Sequence, residues 1–313
     1  MPKVALVQHP SPFLDRAGAF EVAERAISEA RGEGAELVVF PETFIGGYPD
    51  WIWRLEPRDF GLNGAIHERL LAASIDLEAD ELRPLREAAR RAGVTVVCGI
   101  HERDGAFSRS TLFNSVVTIG ADGAVLNRHR KLVPTNPERM IWGAGDATGL
   151  QIAETSAGRI GALICWENYM PLARFALYAQ GIEVYVAPTW DHGETWLASM
   201  RHIAREGRCW VLGSATCLQA KDVPADFPER AKVYPDPEEW LNPGDSVVVD
   251  PTGKIAAGPM HRERGILYAT CDLARVAAAR RTLDVAGHYN RPDVFHLEVN
   301  RAAGAPIHFA EKR

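Results

Sequence analysis

The chain has 313 residues and a formal net charge of −6, with no block of Lys or Arg that would bind a polyanion. No segment approaches the roughly 18 apolar residues of a membrane span, and the first residues lack the apolar stretch of a signal peptide. These features predict a soluble cytoplasmic protein that binds neither nucleic acid nor membranes.

Five cysteines are spread along the chain without any CxxC pair: Cys98, Cys165, Cys209, Cys217 and Cys271. Their odd number and wide spacing suggest neither a disulfide framework nor a metal site. Four of them lie in apolar runs and are predicted to be small, inert, buried side chains. Cys165 stands apart because of its neighbours.

The first half of the chain alternates short β-branched runs with helical patterns, as an α/β protein does. The last two strands of this half are joined through a turn at residues 121–123, which predicts an antiparallel hairpin. In chain order the predicted elements are strand 4–9, helix 17–34, strand 36–40, helix 81–93 and strands 94–102, 112–120 and 124–131.

The second half repeats this alternation and predicts two sheets covered by helices on their outer faces. A proline-rich segment over 219–245 is predicted to be a long ordered surface loop, and no linker separates domains, so one domain over 1–313 is expected. The remaining elements are strand 158–165, helix 170–181, strand 183–190, helix 194–209, strand 210–217, hairpin 246–258 and strand 265–272.

Cys165 lies where a buried strand turns toward a helix, a placement that exposes a nucleophile to a pocket. Its neighbours Trp166, Glu167 and Asn168 are bulky or polar residues that packing alone does not require at a strand end. The alternative is an inert cysteine of a buried strand.

Two charged residues also follow strands. Glu42 comes after an apolar strand and a stiffening proline, where partial desolvation would raise its pKa and suit a general base. Lys131 ends the hairpin strand and could stabilise negative charge on a substrate, with His129 on the same strand face. From spacing alone, Glu42 could equally be a solvated loop residue and Lys131 part of a surface patch.

Three motifs in this order resemble the nitrilase superfamily of carbon-nitrogen hydrolases: FPETFIGGYP, HRKLVPTNPERMIWGAGD and GALICWENYMPLAR, followed by GHYNRPDVFHL. The resemblance covers nearly the whole chain and favours the true nitrilase branch. It implies an α/β fold with four layers in the order α-β-β-α, and a Glu-Lys-Cys triad at Glu42, Lys131 and Cys165. Glu138 matches a second family glutamate that positions the lysine and the substrate.

The resemblance implies hydrolysis of an organic nitrile to its acid and ammonia through a covalent thioimidate and thioester, without cofactor or metal. Candidate substrate contacts are His129 and five aromatic residues, each of which could instead belong to the core: Tyr48, Trp51, Trp142, Trp166 and Trp190. At Trp190 many nitrilases have a smaller residue, so a borrowed substrate preference does not transfer.

Several alternatives share these residues. An amidase or a cyanide hydratase or dihydratase of the same superfamily would have the same triad. A catalytically silent assembly scaffold belongs to a different class, and the intact triad argues against it. The resemblance also implies a homo-oligomer, with a dimer contact through the predicted helices 170–181 and 194–209.

Overall fold

The computed structural model describes residues 1–56, 58–302 and 304, and strands and helices are numbered here in chain order. Two mixed β-sheets form the centre of the molecule. The first has the strand order β13-β1-β2-β3-β4-β5. Its strands are β1 (Lys3–Gln8), β2 (Leu37–Val39), β3 (Thr95–Arg103), β4 (Leu112–Ile119), β5 (Val125–Arg130) and β13 (Gly265–Thr270).

The second sheet has the strand order β10-β11-β9-β8-β7-β6, and β12 pairs with β11. In both sheets the three central strands run parallel: β1, β2 and β3 in the first, β7, β8 and β9 in the second. The strands of the second sheet are β6 (Ala153–Thr155), β7 (Gly158–Ala162), β8 (Val184–Thr189), β9 (Trp210–Ala215), β10 (Cys217–Gln219), β11 (Trp240–Val249) and β12 (Ile255–His261).

Helices cover the outer face of each sheet. Apolar residues of α1 and α3 pack on the first sheet, and those of α4 and α5 pack on the second. The described helices are α1 (Arg16–Gly32), α2 (Phe60–Ala73), α3 (Arg83–Ala92), α4 (Pro171–Tyr178), α5 (Gly193–Gly207), α6 (Arg230–Val233) and α7 (Ala274–Arg280). None of them is long and apolar enough to cross a membrane.

The alternation of side chains along each strand explains the layers. In β1, Ala5 and Val7 face the helices, whereas Val4 and Leu6 face the second sheet. Strand β8 divides its apolar residues between the same two kinds of interface. Strands buried on both faces read as continuous apolar runs, and the result is the predicted α/β sandwich with layers α-β-β-α.

The segment 219–245 differs from its prediction as a surface loop. It contains α6 and the first half of β11, and its apolar side chains are buried against Phe13 and Trp51. The prolines mark the turns, but the residues between them form a hydrophobic cluster of their own. Its larger buried apolar residues are Val223, Phe227, Val233, Tyr234 and Leu241.

Several other elements also depart from the sequence prediction, which did not include β6 or α7. Helix α2 was not predicted, because Gly61 and Gly64 obscure its pattern. The strand predicted over 158–165 ends at Ala162, since Cys165 has a φ of 51° and begins a short 3-10 helix.

Candidate active site

Four polar side chains predicted to be catalytic are buried at one edge of the two sheets: Glu42, Lys131, Glu138 and Cys165. Glu42 follows β2, Lys131 follows β5 and Cys165 follows β7. Strands β2 and β5 of the first sheet point the same way, because β2 is parallel to β3, β4 is antiparallel to β3, and β5 is antiparallel to β4. The chain order therefore brings their carboxyl ends to a common site, as is usual in α/β folds.

Glu42 is held by a tight turn against β3. Gly99 makes this turn possible, because a β-carbon at that position would overlap backbone atoms of Pro41, Glu42 and Thr43. The Glu42 carboxylate is buried and accepts hydrogen bonds at 2.7 Å from Asn114 Nδ2 and, on its other oxygen, from the backbone N–H of Trp190. These bonds fix the direction of both carboxylate oxygens.

Lys131 lies between two carboxylates. Its Nζ is 2.9 Å from Glu42 Oε1 and 2.7 Å from Glu138 Oε2, and its side chain is fully buried. The backbone of Lys131 is anchored to β4 through a 2.7 Å bond from its N–H to the carbonyl of Asn114. A buried ammonium with two anionic partners is a preorganised positive charge, suited to stabilising an anion that develops during a reaction.

Glu138 lies in a 3-10 helix, Asn136–Met140, whose N-cap residue is Thr135. Its Oε2 accepts a 2.7 Å bond from the backbone N–H of Thr135 as well as the bond from Lys131, and its Oε1 accepts a 2.8 Å bond from the hydroxyl of Tyr48. Glu138 therefore holds the lysine in place from the side opposite Glu42.

Burial dominates the ionisation of these groups. It raises the pKa of Glu42, and the attraction of Lys131 only partly offsets this effect. Attraction to the two carboxylates keeps the pKa of Lys131 above its usual value in spite of burial. Burial, with Glu42 close by, also raises the pKa of the Cys165 thiol. The site thus combines a charged lysine, a carboxyl with raised pKa and a thiol that is protonated at neutral pH.

Cys165 lies in a strained backbone turn, with its own φ at 51°, and begins a 3-10 helix, Cys165–Tyr169. Asn168 stabilises this turn, because its Nδ2 donates to the carbonyls of Cys165 (2.7 Å) and Leu163 (3.1 Å). Tyr185 in turn donates to Asn168 Oδ1 at 2.7 Å. The turn resembles a nucleophile elbow, in which strain directs the side chain into a pocket.

A small cavity of about 130 Å³ opens above the cysteine. Tyr48, Trp166 and Trp190, three of the six predicted substrate contacts, line it together with Glu138 and Cys165. The remaining lining residues were not predicted from sequence: Trp53, Thr135, Asp191 and His192. Asp191 fixes one wall, since its Oδ2 accepts hydrogen bonds from Trp166 Nε1 and Tyr169 OH at 2.9 and 3.1 Å.

The other three predicted contacts lie outside the cavity lining. Trp51 is fully buried against Phe13 and Phe227, Trp142 donates a hydrogen bond to His101, and His129 pairs with Glu167. Each is held by apolar packing or by a hydrogen bond, and among the described residues Trp51 Nε1 and His129 Nδ1 have no hydrogen-bond partner. We therefore do not propose these three residues as substrate contacts.

Asn114 is a further residue of the site that sequence reasoning missed. It is a buried amide in β4, whose only other polar residues are Ser115 and Thr118, and it contacts Glu42 directly. A single amide within a predicted buried strand signals a specific partner, because burying it unpaired is costly. This signal could have identified Asn114, but it would not have identified Glu42 as its partner.

The same chain organisation occurs in known proteins. A sequence model of the carbon-nitrogen hydrolase family matches residues 3–281, and the chain belongs to this family. It is 40% identical over 322 residues to Nitrilase 2 of Arabidopsis thaliana, covering 99% of this chain and 92% of that protein. It is 42% identical over 306 residues to a nitrilase of Bradyrhizobium diazoefficiens, covering 95% and 92%.

The fold also matches a solved structure. The C. elegans NitFhit protein superposes with a TM-score of 0.72 at 21% sequence identity, covering 97% of this chain and 68% of that chain. This likeness concerns the fold alone. The family membership and the fold agree with the four-layer arrangement of the two sheets described above.

Proposed function

We propose that this enzyme is a nitrilase, which hydrolyses an organic nitrile to a carboxylic acid and ammonia, with Glu42, Lys131, Glu138 and Cys165 as its catalytic residues and 1–313 as one domain. The similarity to nitrilases over nearly the full length supports the reaction. The observation that carries the residue assignment is the ion-paired arrangement of Lys131 between two buried carboxylates, beside the cysteine turn.

The raised pKa values define the first step. The Cys165 thiol is protonated at neutral pH, so a base must remove its proton as the sulfur attacks the nitrile carbon. Glu42 takes this proton, since burial raises its pKa toward the range of an effective base. The nitrile nitrogen receives a proton, and a thioimidate forms. Lys131 and the backbone N–H of Trp166 stabilise the negative charge that develops on nitrogen.

Two water molecules complete the reaction. The first adds to the thioimidate carbon, and the tetrahedral species breaks its C–N bond to release ammonia and leave a thioester. The second water, activated by Glu42, breaks the C–S bond to release the acid and restore the thiol. If the tetrahedral species expelled the cysteine sulfur instead, the product would be an amide. The ratio of acid to amide therefore reports how this intermediate partitions.

The cavity walls indicate the kind of substrate. A nitrile group is linear and slender, and an apolar opening between Tyr48, Trp166 and Trp190 leaves room for a small or elongated remainder. We propose that these three aromatic residues contact the substrate, and that small or slender nitriles are preferred over bulky α-substituted ones.

We also propose that the protein is cytoplasmic and forms a homo-oligomer, with α4 and α5 at a dimer contact. Leu172 in the first turn of α4 is 66% exposed, and Tyr169 just before the helix is 40% exposed. Contiguous exposed apolar patches mark protein interfaces. Light scattering of the wild type and of Leu172→Glu tests this, since a charge at the contact should shift the mass toward the monomer.

Ammonia release from a panel of nitriles and of the matching amides, with product analysis, tests the reaction. We expect acid and ammonia from nitriles, and a loss of at least about a thousandfold in Cys165→Ala. The control is Cys98→Ala, because the Cys98 side chain on β3 is buried in the hydrophobic core between the first sheet and its helices. Turnover of amides alone would indicate an amidase, conversion of cyanide a cyanide hydratase or dihydratase, and no turnover in the wild type a silent scaffold.

A further inference from the structure

Glu167 is a buried carboxylate that takes no part in the chemistry proposed above. It lies two residues after Cys165, yet its carboxylate bonds to both halves of the site. Oε2 accepts a 2.8 Å hydrogen bond from the backbone N–H of Ile164, and Oε1 accepts a 2.7 Å bond from the backbone N–H of Leu132. Ile164 directly precedes the cysteine, and Leu132 directly follows Lys131.

His129 completes this arrangement. It lies on β5, two residues before the catalytic lysine, and its Nε2 is 3.0 Å from each oxygen of Glu167. Both side chains are fully buried. Burial by itself would raise the pKa of Glu167, but His129 and the two backbone N–H groups outweigh it, so the pKa lies below its usual value. Glu167 is therefore an anion at neutral pH with several donors directed at it.

We propose that Glu167 is a positioning residue that sets the separation of Lys131 and Cys165, with His129 holding it in place. The lysine and the cysteine come from different sheets, and the carboxylate ties the loop after β5 to the turn after β7. This proposal rests on the chemistry assigned to Cys165 and Lys131. A displacement of about 1 Å between reacting groups can cost on the order of a hundredfold in rate.

Glu167→Gln tests this tie while keeping the size of the side chain. The amide oxygen can accept from one backbone N–H, but the NH₂ group then faces the other as donor against donor. We expect kcat to fall about 10- to 100-fold, which is the usual effect of losing a partner that orients the groups of a site. KM should change less than about twofold. The rate of Cys165 alkylation by iodoacetamide at neutral pH should fall about tenfold, because the base is no longer aligned with the thiol.

Asp250→Asn is the matched control. Asp250 is also a buried carboxylate, and it lies in the turn between β11 and β12. It accepts hydrogen bonds from the backbone N–H groups of Thr252 and Lys254 and from the guanidinium of Arg275. Its loss should lower the melting temperature without changing kcat or the alkylation rate. A general loss of stability would affect both variants alike, whereas a positioning role affects only Glu167→Gln.

His129 supplies a second pair of variants if Glu167→Gln does not fold. In His129→Gln the amide can donate from near the position of Nε2, whereas His129→Leu removes the donor. We expect His129→Gln to retain most of kcat and of the alkylation rate, and His129→Leu to lose both. The alkylation measurement needs no substrate, so it tests the tie even if the enzyme hydrolyses something other than nitriles.

Three outcomes would overturn the proposal. The first is Glu167→Gln with kcat and alkylation rate within about twofold of wild type. The second is an equal loss of activity in Asp250→Asn at a matched fall in melting temperature. The third is His129→Leu and His129→Gln with the same kinetics.

Discussion

Trp190 stacks flat on Tyr48, with ring centroids 4.2 Å apart and ring planes within 9° of each other. The pair links the cavity wall to the ion-paired centre, because the Tyr48 hydroxyl donates to Glu138 and the Trp190 backbone N–H donates to Glu42. We therefore expect a change in the wall to reach the two carboxylates that hold Lys131, and substrate preference and turnover to change together.

The first prediction concerns the side chain of Trp190. Trp190→Ala removes the indole from the cavity wall but leaves the backbone bond to Glu42 in place. We expect the kcat/KM ratio of a bulky nitrile to a slender one to rise by about 10- to 200-fold, the effect of roughly 1–3 kcal/mol of pocket contact. Mandelonitrile and a slender dinitrile, each measured with wild type and variant, provide the ratio.

Trp190→Phe is the control, since it keeps an aromatic ring to stack on Tyr48 and opens the cavity less. Its specificity ratio should lie between those of wild type and Trp190→Ala. If Trp190→Ala lowered the melting temperature and left the ratio unchanged, Trp190 would be a packing residue and the pocket interpretation would be wrong.

The second prediction separates the roles of the two carboxylates. Both contact Lys131, but only Glu42 is assigned as the base for Cys165. Glu42→Gln should slow the alkylation of Cys165 by iodoacetamide at neutral pH, by roughly 10²-fold or more. Glu138→Gln should lose most nitrile turnover and yet alkylate at nearly the wild-type rate. Equal alkylation rates in the two variants would show that this division of roles is wrong.

Much of the fold followed from the sequence because its strands and helices carry strong patterns. β1, β3 and β8 contain apolar runs that are buried on both faces of their sheets. The alternation of such runs with helical patterns along the chain predicted the sheets. The positions of Glu42, Lys131 and Cys165 after strands were also readable. Their convergence was not, because it depends on which strands are neighbours and on which edges of the two sheets coincide; it became an expectation only through the family motifs.

The aromatic residues were harder to assign, for a physical reason. Trp51 and Trp190 have the same residue type and lie near equally suggestive motifs, but Trp51 is enclosed by Phe13 and Phe227 while Trp190 borders the cavity. The difference arises from the segment 219–245, which was predicted to be a surface loop and instead packs over Trp51. A sequence pattern does not specify such a long-range contact.

The third prediction tests the turn that carries Glu42. Gly99→Ala places a methyl group against the backbone of Pro41, Glu42 and Thr43, none of which can rotate away as a side chain would. We expect a loss of about 1–3 kcal/mol in the free energy of unfolding, the usual cost of overpacking, together with a loss of activity as Glu42 shifts. Chemical denaturation and nitrile turnover measure the two effects.

The control for this substitution is Gly64→Ala, in the middle of α2, where an added β-carbon meets nothing within 4 Å. It should stabilise the protein by about 0.5–1 kcal/mol, because alanine favours a helix over glycine. A Gly99→Ala variant with wild-type stability and turnover would contradict the close approach of the Glu42 turn to β3.

The last prediction is that two buried carboxylates give opposite pH dependences of stability. The pKa of Glu167 in the folded protein lies below its usual value of 4.5, so its ionised form stabilises the fold. This contribution is present above about pH 4.5 and is lost as the pH falls through the lower folded value. The advantage of wild type over Glu167→Gln in unfolding free energy should therefore be constant near neutral pH and shrink in acid.

Glu42 should show the reverse, because burial raises its pKa above the same usual value of 4.5. A carboxyl with a raised folded pKa contributes stability that is present below pH 4.5 and is lost as the pH rises through the folded value. Glu42→Gln should therefore gain stability relative to wild type as the pH rises, whereas Glu167→Gln should lose it. Urea denaturation of the three proteins between about pH 3.5 and 8 gives both differences. Parallel curves for the two variants would contradict the opposite pKa shifts of the two carboxylates. Glu167 would then not be the stabilised anion that its positioning role requires.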